Sequence, residues 1–235
     1  MLHPAFIEMI QYASRKKIYT ITSTNGQSLT PEIAHAIIES GLDEIVVSMD
    51  GLDQDSYEKY RVGGNIDKVK AGIQSMVTWK RDLASKQPEI TLQFLVFSHN
   101  QHQIEEVKNW GKSAGVDRVV LKTVRIKDKS RENPLLPETK YSRYLQRDNL
   151  SYATKGNLKN HCWQSWSKAV ITWDGKVLPC CFDVGKNFKM GTVGEKSLLE
   201  IWKSKQYGAF RKQILDNRKK YSMCCNCTEG TSYTL

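Results

Sequence analysis

Residues 18–51, IYTITSTNGQSLTPEIAHAIIESGLDEIVVSMDG, hold the unit on which the fold turns. Ile18 to Ser23 is short and rich in β-branched residues, and Thr24-Asn25-Gly26 stops it, which reads as a strand entering a loop. Thr30 can cap a helix that has Pro31 at its first position, Ile33, Ile37 and Ile38 on one face, and Gly41 just past its end. Glu44 to Met49 then reads as a buried strand. A strand, a helix and a strand in that order ask for two parallel strands joined by a right-handed crossover.

The same alternation extends in both directions. Upstream, Pro4 to Lys17 places Phe6, Ile10 and Ala13 at helical spacing, widened by Ile7 and Met9, and ends in Arg15, Lys16 and Lys17, which suit a helix C-terminus. Downstream, Asn65 opens a helix marked by Ile66, Val69, Ile73, Met76 and Val77, and Ile90 to Phe97 reads as a strand. Ile104, Val107 and Trp110 mark a further helix closed near Gly115, and Arg118 to Val124 is the next strand. The apolar runs on these strands fit burial on both faces, so the fold class is α/β with parallel strands wrapped by helices. Ligands of such sheets bind at the C-terminal strand ends. Those ends read Ser23-Thr24-Asn25-Gly26, Ser48-Met49-Asp50-Gly51, Ser98-His99-Asn100 and Thr123-Val124-Arg125, and each is polar.

A polar connection from about Lys127 to Asn160 contains Pro134, Pro137 and Gly156 and reads as a linker or draped loop. Beyond it, Ala169 to Trp173 and Lys176 to Pro179 flank Asp174-Gly175, a two-residue hairpin signal that delivers Cys180. Ser197 with Glu200 forms a capping box opening one helix through about Asp216, in which Leu198, Ile201, Phe210 and Ile214 can face inward.

All six cysteines, Cys162, Cys180, Cys181, Cys224, Cys225 and Cys227, fall in this last third. A disulfide framework belongs to small secreted chains that lack a core, whereas 40% of these 235 residues are apolar and 26% charged, enough to bury one. Metal or cluster ligation in a reducing cytosol is the better reading. Cys224 and Cys227 make a C-x-x-C pair that aims two thiolates at one centre while backbone N–H groups bond the sulfurs. Cys162 and one of Cys180 and Cys181 complete a set of four. Neighbouring side chains diverge in an extended segment, so both rarely serve one site, and we take Cys180. Spacing by itself leaves zinc and an iron–sulfur cluster equally open.

The net charge is +10, and residues 151–235, with 14 Lys and Arg against 6 Asp and Glu, carry +8 of it. This reads first as a solvated face. Nucleic-acid binding through Trp163, Trp166, Trp173, Phe182 and Trp202 is the weakest reading, because those aromatics more readily fill a small core. No run approaches the roughly 18 uninterrupted apolar residues of a membrane helix, and the N-terminal charges follow the apolar part, which disfavours a Sec-type signal. The expected location is cytoplasmic, with no membrane partner.

The strand motifs 21–26 and 46–51, then Tyr57, Tyr60-Arg61 and Gly63-Gly64 before the Asn65 helix, resemble the middle and later strands of radical S-adenosylmethionine (SAM) enzymes. The tail resembles a SPASM domain, the auxiliary-cluster module of that superfamily. The pattern is Cys162, then 173–181 (WDGKVLPCC), Gly191, 197–202 (SLLEIW), Cys224 and Cys227. The resemblance implies a truncated partial (β/α) barrel of the TIM type at 1–126, a linker at 127–160 and a small Cys-rich α+β SPASM-like domain at 161–235. It places Asn25 near SAM, Ser48 against its ribose or methionyl part and Arg61 at its carboxylate. It makes Cys162, Cys180, Cys224 and Cys227 ligands of an auxiliary [4Fe–4S] cluster, with zinc able to fill the site in aerobic preparations.

The superfamily's C-x-x-x-C-x-x-C loop is missing, since no cysteine precedes 162. Met1-Leu2-His3-Pro4 resembles the residues just after the second strand's SAM-binding turn. The expectation is therefore an oxidoreductase lacking its SAM-cleaving part, a fragment or a degenerate relative, with no catalytic residue in this chain. The complete form would generate a 5′-deoxyadenosyl radical and abstract hydrogen from a peptide, sugar or cofactor precursor. The alternative is a non-catalytic iron–sulfur or zinc scaffold, and the uncovered edge of strand 18–23 would invite self-association.

Overall fold

β1 (Ile21–Thr24), β2 (Glu44–Ser48), β3 (Glu89–Val96) and β4 (Arg118–Thr123) lie side by side in that order in the computed structural model, every neighbouring pair parallel. The structure describes residues 3–126, 128–147, 151–225 and 227–228, and these divide into two compact units. The first holds the sheet and its helices together with 133–142, and the second holds the remainder.

Helices α1 (Phe6–Arg15), α2 (Pro31–Glu39), α4 (Ile66–Asp82) and α5 (Ile104–Ala114) alternate with the strands. Their ends follow local chemistry. The Thr30 hydroxyl accepts the Ile33 N–H at 3.4 Å to start α2, Asn65 Oδ1 accepts the Lys68 N–H at 2.9 Å to start α4, and Gly115 closes α5 at φ +83°. A short helix, α3 (Gln54–Glu58), was not foreseen; it is capped by Asp53, whose Oδ1 accepts the Ser56 N–H at 2.8 Å. Ile45, Val47, Leu92 and Phe94 from the strands meet Ile37, Val69, Ile73, Met76 and Val107 from the helices, all wholly removed from water. Gly26 lets β1 end close to α4, since at φ +77° a Cβ would come within 2.9 Å of Val69 Cγ1. Ile18 and Tyr19 precede β1 and lie exposed beside the sheet edge.

The stretch expected as one linker, 127–160, is divided. Ser98 donates its N–H to Leu135 O at 3.2 Å, and Glu138 donates its N–H to Gln101 Oε1 at 2.8 Å, so 133–142 belongs to the first unit. Further on, β5 (Tyr144–Gln146) and β6 (Tyr152–Thr154) form an antiparallel ribbon in the second unit. Lys127 and residues 148–150 lie outside the described residues.

In the second unit α6 (Gln164–Ser167) precedes an antiparallel sheet of β7 (Val170–Ile171), β8 (Lys176–Leu178) and β9 (Gly191–Thr192). The expected two-residue hairpin is a three-residue loop. Thr172 N–H pairs with Lys176 O at 2.9 Å and Gly175 sits at φ +77°, the left-handed position such loops need. The expected single helix from Ser197 is two, α7 (Leu198–Trp202) and α8 (Lys205–Asn217). The Ser197–Glu200 capping box forms as read, but Ser204 turns extended and its hydroxyl accepts the Tyr207 N–H at 3.1 Å, restarting the helix. Val177, Met190, Ile201, Tyr207, Phe210 and Ile214 make the core of this unit.

Replacing Ile73 with Ala should destabilise the first unit by about 2–5 kcal/mol, because it leaves a cavity where no neighbour can collapse freely. Urea unfolding followed by tryptophan fluorescence measures this; a loss below about 1 kcal/mol would contradict the packing described.

Candidate metal centre and sheet rim

Three separate segments bring cysteines together. Cys162 stands before α6, its carbonyl accepting the Ser165 N–H at 3.1 Å. β8 runs through Leu178 and Pro179 into Cys180. After α8 a turn carries Cys224 and Cys227, with the Cys227 N–H on Cys224 O at 3.1 Å. Cys162, Cys180, Cys224 and Cys227 border one cavity whose apolar wall includes Phe210, Ile214 and Met223. Cys162, Cys224 and Cys227 are buried and Cys180 is half-buried, while Cys181 and Cys225 are exposed. The Cys225 thiol donates to Lys219 O at 3.1 Å.

Burial pushes the Cys180 thiol up to about 12; the Phe182 N–H, 3.4 Å from its sulfur, opposes the shift, and Cys181, Cys227 and Cys162 add to it. Burial likewise raises Cys224, with Arg218 opposing and Cys227 and Cys162 adding. The thiols therefore lie close enough to feel one another's charge. Arg218, 1% exposed, donates from Nη2 to Cys227 Sγ at 3.3 Å and from Nη1 to His161 O at 2.8 Å. Among the described residues no three His, Cys, Asp or Glu side chains are gathered as a single ion would require. Four soft donors around an enclosed cavity, with N–H groups turned to two of the sulfurs, fit a thiolate-ligated cluster.

The rim of the parallel sheet carries the other residues singled out from the sequence. Thr24 pairs with Val47, so Asn25 and Ser48 leave β1 and β2 at the same level. Asn25 is exposed and its Oδ1 accepts the Gln27 N–H at 3.2 Å. Ser48 is buried, 3.5 Å from Gln93 Nε2. Arg61 is engaged within the protein, with Nε and Nη2 at 2.7 and 2.6 Å from Asp50 Oδ2. Asp50 is fully buried; burial raises its pKa, opposed by Arg61 and by the Leu95 N–H at 2.8 Å.

Residues 162–228 match the family model of SPASM, an iron–sulfur cluster-binding domain. The chain is thus similar to radical SAM proteins that carry a SPASM tail. It is 26% identical to the tungsten-containing aldehyde ferredoxin oxidoreductase cofactor-modifying protein of Pyrococcus furiosus, over 97% of the chain and 70% of that protein. It is 25% identical to the PqqA peptide cyclase of Rhizobium meliloti, over 87% of the chain and 59% of that protein. Its fold is shared with Streptococcus suis SuiB bound to S-adenosylmethionine, at 18% identity and a TM-score of 0.66, covering 97% of this chain and 58% of that one. The chain thus spans less than two thirds of two of these three proteins.

Arg218 of the SPASM tail escaped the sequence reading. It opens the run Arg218-Lys219-Lys220, whose composition signals a solvated charged face, and only the folded turn brings its guanidinium to Cys227. In metal-free protein at pH 8, iodoacetamide should label Cys181 more than tenfold faster than Cys180 or Cys224. The thiolate is the nucleophile, and a raised pKa leaves less of it at that pH. Peptide mapping by mass spectrometry reads the rates; equal labelling of Cys180 and Cys181 would contradict the geometry.

Proposed function

We propose that the SPASM tail holds an auxiliary [4Fe–4S] cluster on Cys162, Cys180, Cys224 and Cys227. On the same reading, the rim formed by the ends of β1 and β2 receives SAM, with Asn25 and Ser48 as its contacts. The observation that carries this reading is the meeting of four thiols from three segments around one cavity, within the stretch that matches an iron–sulfur cluster-binding domain. When bound, such a cluster supplies a one-electron carrier whose potential responds to charge, hydrogen bonds to sulfur and exposure. The chain's own part is to exclude water with Phe210, Ile214 and Met223, orient the four sulfurs, and direct the Phe182 N–H and the Arg218 guanidinium at two of them. At the rim, Arg61 serves by fixing Asp50 and the loop that follows Ser48, and the SAM carboxylate contact expected of it from the family remains a secondary assignment.

The relatives named above modify a cofactor or cyclise a peptide, and the substrate class proposed for the complete activity is a peptide or cofactor precursor. Anaerobic reconstitution should load about four irons per chain, with a broad visible charge-transfer band that a Cys224→Ser, Cys227→Ser double variant loses. Stoichiometric zinc with no iron uptake under iron-replete anaerobic conditions would replace the cluster with a zinc module.

The reading also separates this chain from SAM cleavage. Residues 1–161 contain no cysteine, and the four clustered thiols are all needed as ligands, leaving no thiolate set that would keep one iron open. The 235-residue chain with SAM and a strong reductant should release no 5′-deoxyadenosine above background, measured by liquid chromatography. Turnover by this chain would overturn the ligand assignment.

A further inference from the structure

Arg218 has the largest fully buried side chain among the described residues, and guanidinium cannot shed its proton in a protein. A charge so placed is tolerated when it is paired or well hydrogen-bonded. Its backbone N–H donates to Asn160 Oδ1 at 3.1 Å, Nη1 to His161 O at 2.8 Å and Nη2 to Cys227 Sγ at 3.3 Å. The guanidinium thus bridges the residue before one cysteine ligand and the sulfur of another. At Cys227 a neutral thiol offers the guanidinium only a dipole, whereas a ligating thiolate offers it a negative charge and a bond roughly twice as strong.

We propose that Arg218 is a counter-charge built into the auxiliary cluster site, donating to the Cys227 thiolate so that it strengthens cluster retention and favours the reduced state. The proposal rests on the cluster reading above. Four thiolates make the bound centre anionic, and taking up one electron makes it more so, with no bond made or broken in the protein. A fixed positive charge at hydrogen-bond distance in an enclosed site stabilises the more negative state more, and so raises the potential. Arg218 is therefore a positioning and tuning residue. The competing account makes it a staple between 160–161 and the Cys224–Cys227 turn, a role that depends on the shape of the fork and not on its charge.

The test compares the full chain with Arg218→Lys and Arg218→Gln after anaerobic reconstitution, reading iron per chain, iron loss to a chelator, and the midpoint of a dithionite titration followed by visible bleaching. At the wild-type midpoint the reduced-to-oxidised ratio of Arg218→Gln should fall at least tenfold, equivalent to about 59 mV for one electron. That variant should also lose iron several-fold faster, while Arg218→Lys stays within threefold of wild type on both counts. Failure of Arg218→Gln to load where Arg218→Lys loads supports the proposal as well. A wild-type midpoint in Arg218→Gln, or Arg218→Lys faring no better than Arg218→Gln in loading or potential, overturns it in favour of the staple. A wild-type chain that takes up no iron is a different result, and it fells the cluster reading itself.

Discussion

Four sulfurs from three distant segments meet at one cavity from which water is largely shut out, and the second unit is packed around that meeting. The β7–β8 hairpin fixes where Cys180 emerges, and the restart of the helix at Ser204 lets α8 lay Phe210 and Ile214 against the cavity. Gly191 on β9 allows the sheet to approach α7, since a Cβ there would meet Ile201 at 2.8 Å. Burial resists ionisation of the very thiols that ligation needs ionised, as the raised Cys180 and Cys224 show. Nearby donors oppose that shift: the Phe182 N–H at Cys180 and the Arg218 guanidinium at Cys224.

The first unit answers a different constraint. With the parallel strands in the order β1-β2-β3-β4, right-handed crossovers set the helices on one face of the sheet, and the C-terminal strand ends are the place for polar groups. Asp50 anchors that rim: its carboxylate takes Arg61 and the Leu95 N–H, and its carbonyl accepts Asn100 Nδ2 at 2.9 Å. Gln103 ties the next loop, accepting from the Leu52 N–H at 3.1 Å and the Ser56 hydroxyl at 3.1 Å. These bonds join the connections that follow β2 and β3, so Ser48 stands beside a preformed network. A ligand there meets groups whose ordering has already been accomplished in folding.

Local chemistry was legible in the sequence wherever one residue and its near neighbours decide the outcome. Thr30, Asn65, Ser197 and Gly115 start or stop helices through bonds reaching three or four residues, and the apolar period of 66–77 names the face of α4 that is buried. The order of strands and helices likewise dictated a parallel sheet, because the crossover rule acts on succession along the chain. The cysteine spacing pointed to four thiols that line one cavity in the fold, since a C-x-x-C turn and a hairpin carry their own geometry. Tertiary structure decided the rest. Ser204 reads as an ordinary helical residue until the packing of Ile201 and Phe210 calls for a change of direction. Arg61 reads as a ligand-seeking cation until Asp50 lies 2.6 Å away. Arg218 reads as surface charge until the chain folds back to set it against Cys227, because a contact between segments that local pattern does not link leaves no trace in either segment's own sequence.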